Sequence, residues 1–520
     1  MKTFLTIVLF LTISAHSFGQ NQNISNGDIF DGEPFIAVNP SNPQHMIVAW
    51  MGYFPFTKIY IKTKVTFDGG QTWSALNSIP HTNALYGSAD PSMDFDNSGN
   101  VFLSFIDFDK KSETGAVFVV KSTDGGLTWE NPVEIINANS DIQKPIDRPW
   151  ISIDRSGGAN DGNIYITTMP PTVFGYLPPP YHPYFIASTD GGISFNQWQY
   201  LDTTNWLAGN IIVQPMATNC VTSDGTFYAV YPSYMYSQNI IPQYIVASSP
   251  DAGNTFLYHT VFSSASNVND SLAKKGYLLL SDPTNPNHLV FSYLSKPYGD
   301  IDVFISESYD KGINWKKPIR VNDDPIANNC MQDLLWGDFD TDGSLVITWR
   351  DRRNGTDSTY QTAYEIWGAY RNKDSLNFSA NFRISDTLIV YDNVLAHSGN
   401  DFMCVKLVND TLNSVWGDTR NGKLNIWFHR MSVNGNITAV KQIHTEEVPA
   451  VNIYPNPTSS MFTIEGEGIK NILIYNTQGK VVGKYKKINI IDLSQLSNGN
   501  YFIEINTTKG TILKKIIKLK

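Results

Sequence analysis

Charged or amide residues followed by proline recur along this chain, as Glu33-Pro34, Asp90-Pro91, Arg148-Pro149 and Gln214-Pro215, and Asp333 and Asp401, without the proline, stand at the later equivalent positions. Carboxylates gathered at one place can divide the work of general acid and general base, because each perturbs the ionisation of its neighbour. Arg148, beside Asp147, offers a planar fork for a carboxylate. Asp90, Arg148 and Asp333 are therefore the candidate catalytic groups, and Glu33, Asp147, Gln214 and Asp401 the candidate ligand contacts. A second repeat adds Arg353 and Arg420 as ligand contacts: Trp349-Arg-Asp351-Arg-Arg353-Asn-Gly355 matches Trp416-Gly-Asp418-Thr-Arg420-Asn-Gly422. The same Asp–Arg pairs can equally brace their own turns. Trp150, Trp336, Trp349 and Trp416 are at hand for stacking on a sugar ring, or for the core.

The three cysteines, Cys220, Cys330 and Cys404, are odd in number and far apart, which suits neither a disulfide framework nor a zinc site. Cys220 and Cys404 lie in apolar runs and read as buried thiols. No cofactor is required by these residues. Ca2+ is the ion a ring of carboxylates would take, for rigidity, and no ligands are assigned to it.

These residues must be positioned by a repeated framework. One motif recurs five times, as Thr66-Phe-Asp68-Gly-Gly-Gln-Thr72-Trp73, then with Asp124, Asp190, Asp251 and Asp310 at the same place. The copies follow at intervals of about 60 residues, the mark of a repeat architecture. The hydroxyl opens a tight turn, the carboxylate accepts N–H bonds within it, glycine supplies φ > 0, and the final Trp or Phe packs beneath. The motif resembles the Asp-box, or bacterial neuraminidase repeat, of the sialidase superfamily, over roughly residues 30–440. The resemblance implies an all-β fold: a β-propeller with each box between the third and fourth strands of a blade. The five Asp-box aspartates are then structural. They sit on the face opposite the starts of the innermost strands, which ring the channel mouth.

Strand-like runs precede the boxes, for example 116–120 and 302–306. The stretch 38–50 has a near-copy in 281–293, a first and second strand joined by an Asn-Pro turn. Worn boxes at Asp374-Ser-Leu-Asn-Phe378 and Asn434-Gly435, with the paired Trp-x-Asp-x-Arg stretches, favour seven blades; six, the sialidase number, is the alternative.

The ends read differently. Residues 1–19 carry Lys2, an apolar run from Phe4 to Ile13 and the small-residue stretch Ser17-Phe18-Gly19, as a cleaved signal peptide does. The propeller is assigned to 20–445. Residues 446–520, with Val451-Asn-Ile-Tyr-Pro-Asn-Pro457, Gly499-Asn-Tyr501 and a Lys-rich end, resemble the type A sorting domain of the type IX secretion system. That resemblance implies a small Ig-like β-sandwich, the secretion machinery as its partner, and a secreted or cell-surface location with no transmembrane segment in the mature protein. The net charge of −10 repels polyanions, so nucleic acid is not an expected ligand.

The superfamily resemblance implies an exo-sialidase-like glycoside hydrolase, or at least a glycan or glycoprotein ligand. No arginine precedes Arg148, so the first-blade Phe/Tyr-Arg-Ile-Pro motif of sialidases is missing. Three readings follow: a secreted carbohydrate-active enzyme working through the channel-mouth carboxylates, a non-catalytic glycan- or protein-binding propeller, and a structural surface protein.

Overall fold

A computed structural model describes residues 20–54, 58–109, 114–171, 177–202, 212, 214–233, 243–263, 276–356, 359, 361–391, 400–433, 451–476, 480–486, 488–508 and 511–519. The signal-peptide residues and Asn434-Gly435 lie outside them. No described helix is long and apolar enough to cross a membrane. The chain divides into two compact units, residues 1–437 and 438–520.

The described residues of the first unit form seven four-stranded antiparallel sheets. Their innermost strands are Asp31–Asn39, Gly87–Phe95, Asp147–Ile153, Thr218–Val221, Tyr277–Ser281, Gln332–Phe339 and Cys404–Val408, here the starts of blades 1 to 7. Each packs on the innermost strand of the next blade, and the seventh returns to the first. This is a closed seven-bladed β-propeller. Blade 7 takes its outer strand from the other end of the chain, Gln22–Asn23 pairing with Phe428 and Trp427.

Sheets stacked around an axis cover one another on both faces, so the middle strands carry continuous apolar runs. Met46 to Trp50 and Val101 to Ile106 are buried throughout. So is 116–120, where successive residues face two different neighbouring blades. Hydroxyls buried in this stack find carbonyls across blades: Ser104 Oγ donates to Pro149 O at 2.6 Å, and Thr167 Oγ1 to Ala217 O at 2.7 Å.

The five repeated turns share one hydrogen-bond scheme. In the first, Thr66 Oγ1 donates to Asp68 Oδ1 at 2.8 Å and accepts from Gly70 N at 2.9 Å. Asp68 also accepts from Thr72 N at 2.9 Å and Thr72 Oγ1 at 2.6 Å. Asp124, Asp190, Asp251 and Asp310 repeat it. These donors hold Asp68 and Asp190 at a pKa of about 2. The closing aromatics are half-buried rather than enclosed; Trp73 meets Phe428 edge-on across the blade boundary, at 5.2 Å.

In the second unit, two sheets of three and four strands face each other across a core that includes Phe462, Ile472, Ile491 and Ile503. The unit is a β-sandwich.

Candidate functional site

The innermost strands begin with a bulge. Pairing with the second strand slips between Gly32 and Phe35, Ala89 and Ser92, Asp147 and Trp150, and Asp333 and Trp336. Proline suits this position in blades 1 to 3, because it has no N–H to give to the ladder. The residue before it takes a left-handed conformation: φ is 53° at Glu33, 55° at Asp90 and 48° at Arg148. Such a conformation costs a non-glycine residue about 1–3 kcal/mol, and the bulge re-aims its side chain. In blade 6 the matching left-handed residue is Leu334, at φ 47°. Asp333 is therefore one position out of register with Glu33, Asp90 and Arg148.

The side chains of blades 1, 2, 3 and 7 converge. Arg148 Nη2 meets Asp401 Oδ2 at 2.6 Å, and the Arg148 N–H donates to Asp90 at 3.4 Å. Gln214 Nε2 donates to Asp147 Oδ2 at 3.0 Å. The carboxyl of Asp90 lies beside those of Glu33 and Asp147. Buried carboxyls set so close oppose one another's ionisation, so the set is a crowded carboxyl cluster. Burial first, and then the charges of Asp90 and Asp401, push Glu33 well above the usual carboxylate range, against the pull of Arg148. Burial and the Asp90 charge do the same to Asp147. Glu33 Oε2 is buried without a hydrogen-bond partner.

Beneath the cluster the channel is filled. Phe35, Trp150, Trp336 and Phe402, from blades 1, 3, 6 and 7, pack ring against ring with centroids 5.2 to 6.4 Å apart. All four are buried. This plug removes Trp150 and Trp336 as stacking platforms. Trp349 and Trp416, at 0% and 1% exposure, are core residues as well. The plug was legible in part, since Glu33-Pro-Phe35 and Arg148-Pro-Trp150 both place an aromatic two residues past the charge.

Three other candidates are occupied elsewhere. Asp333 sits between two guanidinium groups, with Arg350 Nε at 2.6 Å and Arg352 Nη1 at 3.1 Å. Burial would raise its pKa, but the two cations hold it at about 2, so it cannot act as an acid at neutral pH. Arg353 braces its own turn: its N–H and Nε donate to Asp351 at 2.7 and 3.0 Å, and its guanidinium lies 4.2 Å over Trp367. Arg420 does the same with Asp418, at 2.8 and 2.9 Å, over Trp427. Trp349 and Trp416 complete these motifs by donating Nε1 to the same aspartates.

Sequence reading missed two buried polar networks. His288 bridges Asp282 at 2.8 Å and Glu307 at 2.9 Å, and Arg371 clamps Glu307. His81 Nδ1 meets Asp107 at 2.8 Å beside Ser88. Single His, Asp and Glu residues in strands carry no spacing that announces such pairs. No group of three or more His, Cys, Asp or Glu among the described residues is disposed to hold a metal ion, so the Ca2+ expectation gains no residues. The three cysteines are free; Cys404 is buried, whereas Cys220 and Cys330 are half-buried.

Fold and site thus define a seven-bladed propeller with a plugged channel and a carboxyl-rich mouth. Residues 452–519 match the secretion system C-terminal sorting domain. The chain is accordingly exported by type IX secretion to the cell surface or the extracellular space. No curated protein matches its sequence. Among solved structures, it is similar to an α-L-arabinanase of Penicillium chrysogenum bound to arabinobiose, at 12% identity and TM-score 0.43, covering 80% of this chain and 98% of that one. It is also similar to a Trypanosoma rangeli sialidase bound to sialic acid, at 12% identity and TM-score 0.39, covering 95% and 72%. A Dyadobacter fermentans protein of unknown function shares 15% identity at TM-score 0.40, over 64% and 94%. The seven-bladed ring rests on the strand pairing above, independently of these likenesses.

Proposed function

We propose that this is an extracellular carbohydrate-active propeller of the Asp-box type, cleaving a glycosidic bond at the channel mouth. The observation that carries the reading is the crowded cluster of Glu33, Asp90 and Asp147 beside Arg148 and Asp401. Acid–base catalysis at neutral pH needs one carboxyl kept protonated beside another that is charged, and environments that push neighbouring groups apart produce that state. Asp147 is half-buried and reachable, so it is assigned as the acid that protonates the leaving oxygen as the C–O bond breaks. Asp90, in direct contact with Asp147, positions that acid, and the attacking water gives up its proton to solvent. Glu33, more deeply buried, lies behind Asp90 and is itself held well above the usual carboxylate range by burial and the Asp90 charge. Arg148, fixed by Asp401 through its guanidinium, positions Asp90 through its backbone N–H.

The test is hydrolysis by the mature full chain of a fluorogenic glycoside panel that includes a sialoside. Turnover that falls by roughly a hundredfold or more in Asp147→Asn and Asp90→Asn, with folding intact, supports the assignment. Silence across the panel with retained glycan binding moves the protein to the binding class.

A further inference from the structure

The chain contains ten arginines, and all of them lie in described residues. An arginine that grips a substrate carboxylate must have a free edge, because a bidentate pair uses two parallel N–H donors. At the mouth, Arg148 gives Nη2 to Asp401 at 2.6 Å and turns Nη1 to the sulfur of Met216 at 3.7 Å. Arg350 and Arg352 are spent on Asp333, Arg353 on Asp351, and Arg420 on Asp418. The other five arginines are likewise held, four by carboxylates and Arg430 by the Gly69 carbonyl. The mouth itself gathers four carboxyl groups, Glu33, Asp90, Asp147 and Asp401, around one guanidinium. An arriving anion would meet an excess of like charge at low local dielectric.

One oxygen of the cluster is left without a partner. Glu33 Oε2 is buried with no hydrogen-bond partner, although Glu33 is only 3% exposed. A buried acceptor left unpaired is destabilising, and a ligand hydroxyl or ammonium would relieve it.

From this we infer that the channel mouth takes a hydrogen-bond-donating sugar without negative charge, a neutral or an amino sugar, and discriminates against sialate and uronate. The inference rests on the mouth being the glycan site. It departs from the sialoside ligand that the Asp-box resemblance implies.

Isothermal titration of the mature full chain tests it with three matched sets of oligosaccharides: neutral, glucosamine-containing, and terminated by sialate or glucuronate. The expected result is binding of a neutral or amino sugar with the anionic set weaker by at least tenfold, a difference of about 1.4 kcal/mol. Salt separates the two accepted sources, since an amino sugar loses affinity as ionic strength rises and a neutral one does not. Asp401→Asn frees Arg148 and removes one carboxylate, so the anionic set should gain about tenfold or more. Sialate or glucuronate binding the wild-type protein as tightly as the neutral set overturns the inference and leaves the glycan site standing. Failure of all three sets overturns both. The wild-type comparison stands alone if Asp401→Asn does not fold.

Discussion

Glu33 and Asp147 hold protons that free carboxyl groups would have lost. Their folded-state pKa values are raised, so the stability they contribute is fully present below the ordinary carboxylate pKa and is lost as pH rises through the folded value. Glu33→Gln or Asp147→Asn removes that dependence. Each variant is expected to melt above the wild type at neutral pH, with the gap widening from about pH 4.5 upward, while turnover disappears. Thermal unfolding across pH checks this; a wild type that stays the more stable at every pH would show that the cluster is an ordinary structural ion pair. His288 and Glu307 respond to pH in directions opposite to each other. Burial alone would lower the His288 pKa, but Asp282 and Glu307 raise it above 6.5, so its contribution is full below that value and fades at higher pH. Burial would raise Glu307, but His288 and Arg371 hold it at about 2, so its contribution is full above about 4.5 and fades as pH falls toward 2. Removing this charge leaves Arg371 buried and unpaired, and Glu307→Gln should cost about 3–5 kcal/mol in denaturant unfolding near pH 6.

The repeated turns show why glycine is required twice, for different reasons. At Gly191 the backbone is left-handed, at φ 71°, but a Cβ would meet nothing within 4 Å. At Gly253 a Cβ would lie 2.1 Å from the Phe185 ring of the preceding blade. Conformation alone rules Gly191, whereas at Gly253 close approach adds to a φ of 87°. The copies agree, for Ala252 and Lys311 replace the first glycine at φ 58° and 64°, whereas the second is glycine in all five. Gly191→Ala should therefore cost about 1 kcal/mol, and Gly253→Ala more, because the Phe185 ring must move. Ala252→Gly should stabilise the propeller by a few tenths to about 1 kcal/mol. Chemical denaturation of the three variants orders them; equal costs at 191 and 253 would contradict the close-approach account. The plug depends on packing in the same way, and Trp150→Ala should cost about 3–5 kcal/mol.

For the molecule as a whole, the ring is closed by a very short strand. Gln22–Asn23 completes blade 7, Asn23 Nδ2 donates to Asn425 at 2.8 Å, and Asn21 binds the Ile384 carbonyl. A chain begun at residue 29 loses this closure. Its propeller should unfold at a markedly lower temperature than a chain begun at residue 20, and in one transition, because the blades share a continuous core. Removing residues 438–520 should leave the propeller transition unchanged, since the second unit has a core of its own. Calorimetry of the two truncations distinguishes these outcomes.

Local chemistry written in the residue order explains how much could be read beforehand. A tight turn built from Ser/Thr, Asp and Gly needs only eight neighbouring residues, so the five copies and their spacing announced the blades directly. The sorting domain is legible for the same reason, its motifs being contiguous. The Pro-marked bulges pointed to Glu33, Asp90 and Arg148 because a proline in a central strand needs a local reason. What each of these groups does depends on partners 58 to 253 residues away, as with Asp90 and Asp401 around Arg148. Asp333 carries the same signal as Asp401 in the sequence, yet Arg350 and Arg352 arrive from the next strand and neutralise it. Whether a buried carboxyl keeps or loses its proton is set by burial and by charges brought together across blades. The tertiary structure makes that choice, pairing Asp333 with two guanidinium groups and raising Asp147 well above the usual carboxylate range.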